Sequence, residues 1–412
     1  MKKLPKTLLD SFRKVEKLDL TDLQIEEIEP NVFTNGIYIR ELYLGLNDIR
    51  VLPHGVFHNM RSLELLVLDR NLLEHLPWNI FANTSNLIEL SIADNNLGRI
   101  DDNTFKNVKN LKQLSLPNNN LSNIDLSLIP SLISANVSSN LLTTLAISVA
   151  VVGLDASHNR INTVTGPSNG ELESLFLQHN NLTNIAWLKR YSGLIVLDLS
   201  YNEIEKVTDN HFKNSYRLEK LYLSNNRLVA LNLNSAPIRT LKTLDVRHNH
   251  LLVVETNKDQ FNTLKELYLD HNAIVKLKLS SINMLQNLTI SHNDWDCKNL
   301  DELFRNVSKS VIHDSDRSCK VNYKLKQGIC CKESDKPYLE RLIQLKSPSS
   351  DAEMLDSDES NPESELNGLK SDIGRLTKIE ELLQDLQTNI AWIKSKMNDD
   401  DSPSSTDRPD RP

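Results

Sequence analysis

The sequence predicts an α/β leucine-rich-repeat solenoid: a curved horseshoe with parallel strands on its concave face, a disulfide C-terminal cap and a C-terminal coiled-coil helix. Three observations predict it: a motif that recurs through most of the chain, four cysteines after its last copy, and a heptad pattern near the C-terminus. The expected divisions are a solenoid of about 13 repeats (1–295), the cap (296–345), an acidic flexible linker (346–365), the coiled-coil helix (366–397) and a disordered tail (398–412).

The repeated motif is L-x-x-L-x-L-x-x-N-x-L, and its first full copy is Ile39-x-x-Leu42-x-Leu44-x-x-Asn47-x-Ile49. The alternating L-x-L predicts a short strand with one face buried and one exposed. One turn cannot bury its own faces, so successive turns must stack. The motif asparagines recur every 19 to 24 residues, a spacing typical of this architecture; they are Asn47, Asn71, Asn95, Asn119, Asn140, Asn159, Asn180, Asn202, Asn226, Asn249, Asn272 and Asn293.

Phenylalanines recur between the predicted strands and are expected to fill the convex side of the solenoid. The short middle turns, near Asn140 and Asn159, lack them. We therefore expect the curvature of the solenoid to change in the middle of the chain. The recurring residues are Phe33, Phe57, Phe81, Phe105, Phe212 and Phe261.

All four cysteines follow the repeats: Cys297, Cys319, Cys330 and Cys331. Their spacing matches no common zinc motif, so a disulfide cap is predicted. Adjacent cysteines rarely meet the geometry of a bridge, so Cys330 and Cys331 are not expected to pair with each other. Either Cys297 pairs with Cys319 and leaves the adjacent pair for a partner chain, or Cys297 and Cys319 each take one of that pair. The first arrangement is slightly favoured.

Secretion is predicted from the cysteine cap together with N-x-S/T glycosylation motifs. The N-terminal segment contains basic residues without an apolar stretch after them, so a signal peptide is not visible in this sequence. The longest apolar run, 145–154, is about half the length that spans a bilayer, so no membrane span is expected. The glycosylation motifs begin at Asn83, Asn120, Asn136, Asn181, Asn287 and Asn306.

The sequence favours a binding protein over an enzyme. It contains no phosphate-binding loop, dinucleotide fingerprint, nucleophile elbow or HExxH zinc motif, so no catalytic residue, cofactor or metal site is predicted. The formal net charge of −8, without a basic stripe, argues against a nucleic-acid partner.

Histidines occupy the position directly before the motif asparagine in five turns. Three of these turns are consecutive, so His248, His271 and His292 are expected to stack about one strand spacing apart, near Asp245 and Asp270. Such a row could hold zinc or sense pH. The sequence favours plain variation of a duplicated unit, because surface histidines rarely bind metal without supporting side chains. The two remaining histidines are His158 and His179.

Aromatic residues at exposed strand positions are the candidate partner anchors. Large aromatic side chains dominate the energetics of many interfaces, although tyrosine is also ordinary in strands. These concave-face candidates are Tyr43, Phe176, Tyr222 and Tyr268, accompanied by Asp155, Asp198 and Asp245.

A second periodicity follows the acidic linker and predicts a coiled-coil helix. Apolar residues recur at steps of three and four from Leu366, with one short step that would locally overwind a supercoil. Such a stripe must be covered, and a helix of a second chain is the favoured cover. The predicted partner-binding seam consists of Leu369, Ile373, Leu376, Ile379, Leu383, Leu386, Ile390, Ile393 and Met397.

Repeats, a cap with adjacent Cys330 and Cys331, and a heptad helix, in that order, make residues 9–397 resemble the mosquito leucine-rich-repeat immune proteins. The resemblance implies a secreted haemolymph protein that joins a second leucine-rich-repeat chain, as a hetero- or homodimer, through coiled coils and an intermolecular disulfide. Cys330 or Cys331 would then be the bridging cysteine.

The same resemblance implies that the complex stabilises a complement-like thioester-containing protein in defence against parasites and bacteria. Two features depart from the family pattern: the absence of a visible signal peptide and a shorter coiled coil. The alternative interpretation is an extracellular receptor-type or matrix protein that binds its ligand on the concave face.

Overall fold

The computed structural model describes residues 2–11, 14–233, 238–255 and 260–333 of the 412-residue chain. The predicted acidic linker, the predicted coiled-coil helix 366–397 with its seam, and the predicted tail lie outside the described residues.

The repeats build one sheet of thirteen parallel strands whose spatial order follows the chain. Neighbouring strands pair in register, so that Leu42 lies opposite Leu66 and Leu66 opposite Leu90. The predicted solenoid is therefore confirmed. Its strands are Lys17–Asp19, Glu41–Tyr43, Leu65–Val67, Glu89–Ser91, Gln113–Ser115, Ser134–Asn136, Gly153–Asp155, Ser174–Phe176, Val196–Asp198, Lys220–Tyr222, Thr243–Asp245, Glu266–Tyr268 and Asn287–Thr289.

The alternation of the motif decides which face of each strand is buried. In strand Glu41–Tyr43 the central Leu42 is fully buried, and its two neighbours are partly exposed. Most of the other strands repeat this pattern. A fully buried leucine contributes roughly 1.5–3 kcal/mol before entropy is subtracted, so the stacked leucines form one continuous core along the solenoid.

The motif asparagines form a buried ladder that satisfies the backbone beside the sheet. The Asn47 Nδ2 donates to the Leu20 carbonyl at 2.9 Å and to the Leu44 carbonyl at 3.0 Å. Its Oδ1 accepts from the Leu23 and Ile25 amides at 3.1 and 3.0 Å. The side chain thereby ties each turn to the previous one, which explains the asparagine at this position.

The connecting segments change character along the chain. Phe33 stacks on Phe57, and Phe81 on Phe105, with ring centroids 6.0 and 6.2 Å apart. In the middle, strand Thr144–Ala146 pairs with Thr163–Thr165 instead. Other short elements are strands Lys3–Leu4, Glu27–Ile28, Lys206–Val207, Ala230–Asn232 and Val253–Glu255, and 3-10 helices Leu126–Leu128, Ala186–Arg190, Asp209–Phe212 and Gln260–Thr263.

The cap begins at Trp295, which is fully buried and donates from its indole nitrogen to the Ile290 carbonyl at 2.8 Å. The α-helix Cys297–Asn306 follows, and its first turn is capped by the Asp296 carboxylate, which accepts from the Asn299 amide at 3.0 Å. A three-stranded sheet and one 3-10 helix complete the cap: strands Trp295–Asp296, Lys324–Lys326 and Ile329–Lys332, and the helix Lys309–Val311.

Two disulfides close the cap, and they correct the favoured pairing. Cys297 bridges Cys331, and Cys319 bridges Cys330, so the expected Cys297–Cys319 bridge is wrong and the other arrangement is the one observed. Cys330 and Cys331 are neighbours in one strand, and their side chains point to opposite faces. Each therefore meets a different partner, and the chain has no free cysteine for the expected intermolecular bridge.

Candidate protein-binding surface

Six neighbouring strands of the main sheet end in alternating carboxylate and aromatic residues. Successive members pair in register along the sheet, about 4.8 Å apart along the strand stack. Phe176 and Tyr222 therefore each lie between two carboxylate positions, and Tyr268 follows Asp245 at the C-terminal end of the column. The sequence predicts these residues individually; their alternation emerges from the register. This acidic–aromatic column consists of Asp155, Phe176, Asp198, Tyr222, Asp245 and Tyr268.

The side chains of the column are only partly exposed to solvent, and this burial shifts the pKa values of its ionisable groups. Burial raises the pKa of the Asp198 carboxyl, although its Oδ1 accepts from the Ser200 amide at 2.9 Å. Burial also raises the pKa of the Tyr222 hydroxyl, and nearby carboxylates, Glu266 first, raise it further. Burial likewise raises the pKa of the Tyr268 hydroxyl. The phenols of Tyr222 and Tyr268 therefore stay protonated near neutral pH and can donate hydrogen bonds.

A positively charged side chain lies against the column. Arg247 donates to both carboxylate oxygens of Asp245, at 3.0 and 2.7 Å, and Asp245 is 3% exposed. The same guanidinium lies 4.8 Å from the ring centre of Tyr268. The hydrogen bond to Asp245 raises the pKa of Arg247 and keeps it charged. Its charge is thereby compensated locally, and the remaining carboxylates make the column an acidic surface.

A second column consists of the residues that directly precede the motif asparagines. Their backbone is left-handed in each of the twelve turns that carry the asparagine, for example at φ 57° in His179 and φ 55° in His271. Rings at these positions stack into two rows. His158, His179 and Tyr201 have centroids 4.3 and 4.1 Å apart, and in the row of His248, His271 and His292 both separations are 4.2 Å.

The predicted histidine stacking is confirmed, and Tyr201 is an addition that sequence reasoning missed. Tyr201 is not a histidine, but it directly precedes the motif asparagine Asn202, and this position could have indicated that its ring joins the row. Burial, and then the neighbouring imidazole, lower the pKa of His179 and of His248. Both rings are therefore mostly neutral at neutral pH and present uncharged aromatic faces.

One group in the described part of the chain has the composition of a metal site. His248, Asp270 and His271 each offer a ligand atom, and these atoms lie within 4.8 Å of one another. The His271 Nδ1 lies 2.9 Å from the Asp270 Oδ2.

Tyr43 does not join the other concave-face candidates. It belongs to the second strand of the main sheet, whereas Phe176 belongs to the eighth. The Tyr43 hydroxyl donates to Glu41 at 3.0 Å, and the Lys17 ammonium lies 4.6 Å from the ring centre. The structure thus gathers Phe176, Tyr222, Tyr268 and the histidines in the C-terminal half of the sheet.

The glycosylation motifs fall on different surfaces. Asn120 and Asn181 are exposed, directly after a ladder asparagine. Asn136 and Asn287 instead lie on strands of the main sheet, where the Asn287 Nδ2 already donates to the Tyr268 hydroxyl at 2.9 Å.

Comparison with solved structures decides the family. The leucine-rich-repeat domain of APL1 is 58% identical to this chain, with a TM-score of 0.79, over 81% of this chain and 88% of that one. A chain of the LRIM1/APL1C complex is 53% identical, with a TM-score of 0.83, over 98% of this chain and 75% of that one. The chain belongs to the APL1 family. These are mosquito leucine-rich-repeat immune proteins, so the resemblance found in the sequence is confirmed.

More distant relatives show how general the repeat is. The leucine-rich-repeat family profile matches residues 13–73, 61–121 and 170–228 of this APL1-family chain. Pig fibromodulin is 36% identical over 84 residues, which span 19% of this chain and 54% of fibromodulin. A human leucine-rich-repeat and immunoglobulin-like protein is 38% identical over 72 residues, 17% of this chain and 7% of that protein. The Drosophila Toll–Spatzle complex, at 20% identity and a TM-score of 0.58, shares the fold alone.

The fold of this APL1-family chain is typical of binding proteins, in which a stacked sheet presents side chains over an extended surface. Among the described residues, no helix has the length and apolar character needed to cross a membrane.

Proposed function

We propose that this APL1-family chain is a secreted innate-immune protein that pairs with a second leucine-rich-repeat chain. The observation that carries the proposal is the match to a chain of the LRIM1/APL1C complex over 98% of this sequence. Two disulfides favour an oxidising, extracellular compartment, and haemolymph is the compartment that the resemblance implies.

In this proposal the partner is held without a covalent link. Both disulfides are internal and use all four cysteines, so the predicted heptad seam supplies the contact between the chains. Apolar seams of this kind bury their stripe by packing knobs into holes of a second helix.

The pair in turn binds a complement-like thioester-containing protein, and the acidic–aromatic column is the surface we assign to it. Partly exposed aromatic rings beside carboxylates suit a partner patch that carries arginine or lysine among apolar side chains. An extracellular receptor-type or matrix ligand-binding role is the alternative, and the same column would serve it.

Co-purification tests the pairing. The full chain, secreted from insect cells with an added signal peptide, is incubated with mosquito haemolymph and recovered under non-reducing conditions, and attached chains are identified by mass spectrometry. We expect a leucine-rich-repeat partner that detaches in denaturant without reductant. Leu376→Glu with Leu383→Glu should abolish recovery, and Gln387→Glu, which lies off the seam, should not.

Two results would contradict the proposal. One is recovery of the partner by the seam variant at the wild-type level. The other is a partner that leaves only after reduction, since this would restore a covalent link between the chains.

A further inference from the structure

Three histidines form a row along one edge of the C-terminal half of the sheet. His248, His271 and His292 precede the motif asparagine in three consecutive turns, with left-handed backbones at φ 51°, 55° and 52°. Their imidazoles stack with centroids 4.2 Å apart, at interplanar angles of 22° and 5°. The repeat thus holds three nitrogen-bearing rings side by side on an exposed surface.

A carboxylate lies directly against this row. Asp270 is 8% exposed, and its Oδ2 lies 2.9 Å from the His271 Nδ1. Its Oδ1 accepts a hydrogen bond from the Thr289 hydroxyl on the next strand. The side chain is therefore buried, oriented from both sides and turned toward an exposed imidazole. Ligating carboxylates in metalloproteins are held by such outer hydrogen bonds.

We propose that His248, His271 and Asp270 bind a divalent transition-metal ion of the zinc class. One ligand atom from each lies within 4.8 Å of the others. Zinc takes nitrogen and oxygen ligands at about 2.0–2.2 Å, which places neighbouring ligands about 3.4 Å apart. The two histidines are exposed and can close the remaining gap by rotating about their side-chain bonds. The remaining coordination position of the ion would face solvent and could be filled by water or by a ligand atom of a partner protein.

The surrounding charges permit a cation here. Arg247 is the neighbouring positive group, and both oxygens of Asp245 accept hydrogen bonds from it. The Asp270 Oδ2 lies 2.9 Å from the His271 Nδ1, so this carboxylate faces an imidazole.

The chain contains a matched row that has no carboxylate directly before its second histidine. His158 and His179 stack at 4.3 Å with the same left-handed backbone. The residue before His179 is Gln178, whereas the residue before His271 is Asp270. Metal binding by stacked histidines alone would treat the two rows alike, and the proposed site requires the row that contains Asp270.

Metal titration of the full chain, free of any histidine tag and treated with chelator beforehand, tests the proposal. We expect about one equivalent of Zn²⁺ by calorimetry, and a visible absorption band with Co²⁺ that Zn²⁺ displaces. His271→Asn and Asp270→Asn should weaken Zn²⁺ binding by about tenfold or more. His179→Asn should leave it unchanged.

Asparagine is a sound replacement because Asn118 and Asn225 occupy the same left-handed position in other turns. Thermal melting confirms that each variant is folded. Equal affinity in wild type and His271→Asn, or equal weakening in His179→Asn, would show that Zn²⁺ is held by scattered surface histidines, and the site would be rejected.

Discussion

At the scale of single residues, the motif asparagine stabilises the solenoid because its side chain supplies hydrogen-bond partners to backbone groups. The Asn95 Nδ2 donates to the Leu68 and Ala93 carbonyls, both at 3.0 Å, and its Oδ1 accepts from the Leu73 amide at 3.0 Å. The Leu68 carbonyl also accepts from the Asn71 Nδ2 at 3.1 Å, and the Ala93 carbonyl from the Arg70 amide at 2.8 Å. The buried Leu73 amide is therefore the group that depends on this side chain. One buried amide therefore links two successive turns.

We expect Asn95→Ala to lower the free energy of unfolding by on the order of 3 kcal/mol, because it leaves the buried Leu73 amide unpaired and removes the hydrogen bonds to the Leu68 and Ala93 carbonyls. Urea unfolding followed by circular dichroism measures the change. Asn96→Ala is the matched control, since this neighbouring side chain is exposed. Equal effects of the two substitutions would show that the ladder hydrogen bonds add little.

The His179 imidazole makes stability depend on pH. Burial and the adjacent His158 lower its pKa below the ordinary 6.5, while Asp198 opposes the shift. Below about pH 6.5 the unfolded chain therefore takes up the proton before the folded chain does. Stability is fully present above this pH and falls as the pH drops toward the folded-state pKa.

We expect the stability of the His179→Asn variant to fall less than that of the wild type as the pH drops. Urea midpoints of wild type and variant, compared at about pH 7.5 and about pH 5.5, should diverge only at the lower pH. A constant difference at both pH values would mean that the substitution acts through packing instead.

At the scale of elements, the cap completes the last turn by imitating a further strand. Within the sheet, the amides of His271 and Leu269 donate to carbonyls of the next turn. In the last turn, the Asp314 carboxylate accepts from the Ile290 and Ser291 amides at 2.8 and 2.6 Å. Asp316 likewise accepts from the His292 amide at 2.8 Å. Side chains thereby protect an edge that would otherwise pair with another chain.

The strands were predictable from sequence because period-two burial leaves an unambiguous pattern, as in Leu42–Tyr43–Leu44. The cap pairing was not, because it depends on the register of strand Ile329–Lys332 against Trp295–Asp296. That register turns Cys331 toward the buried Cys297 and Cys330 toward Cys319. Only the folded hairpin decides which cysteine faces the core.

The two bridges should differ in their contribution to stability. Cys297–Cys331 spans 34 residues and Cys319–Cys330 spans 11, so the first removes more entropy from the unfolded chain. In the chain-entropy model, their losses cost about 4 and about 3 kcal/mol. We expect Cys297→Ser with Cys331→Ser to lower the melting temperature more than Cys319→Ser with Cys330→Ser, as measured by calorimetry. The reverse order would show that the hairpin alone carries the cap.

At the scale of the whole molecule, the solenoid is a linear array in which each turn contacts mainly its neighbours. Residues at one motif position therefore line up in space, and the sequence predicts such rows wherever the residue type repeats, as for the histidines. The sequence predicts such rows less well where two residue types alternate from turn to turn. The acidic–aromatic column consists of two interleaved sets whose order follows from strand register, with Tyr222 between Asp198 and Asp245.

The same linearity lets the binding surface be located by substitution. Tyr222 lies in the middle of the column, flanked by Asp198 and Asp245, whereas Tyr43 occupies the equivalent strand position far toward the N-terminal end. Both are partly exposed, so truncating either ring removes similar packing from the fold.

If the column binds the thioester-containing partner, Tyr222→Ala should weaken association by about thirtyfold, the effect of removing an interface anchor worth about 2 kcal/mol. Tyr43→Ala should leave association unchanged. Surface plasmon resonance with the pre-assembled pair of leucine-rich-repeat chains measures both, and their melting temperatures verify folding. Equal affinities of the two variants would place the binding surface outside the acidic–aromatic column.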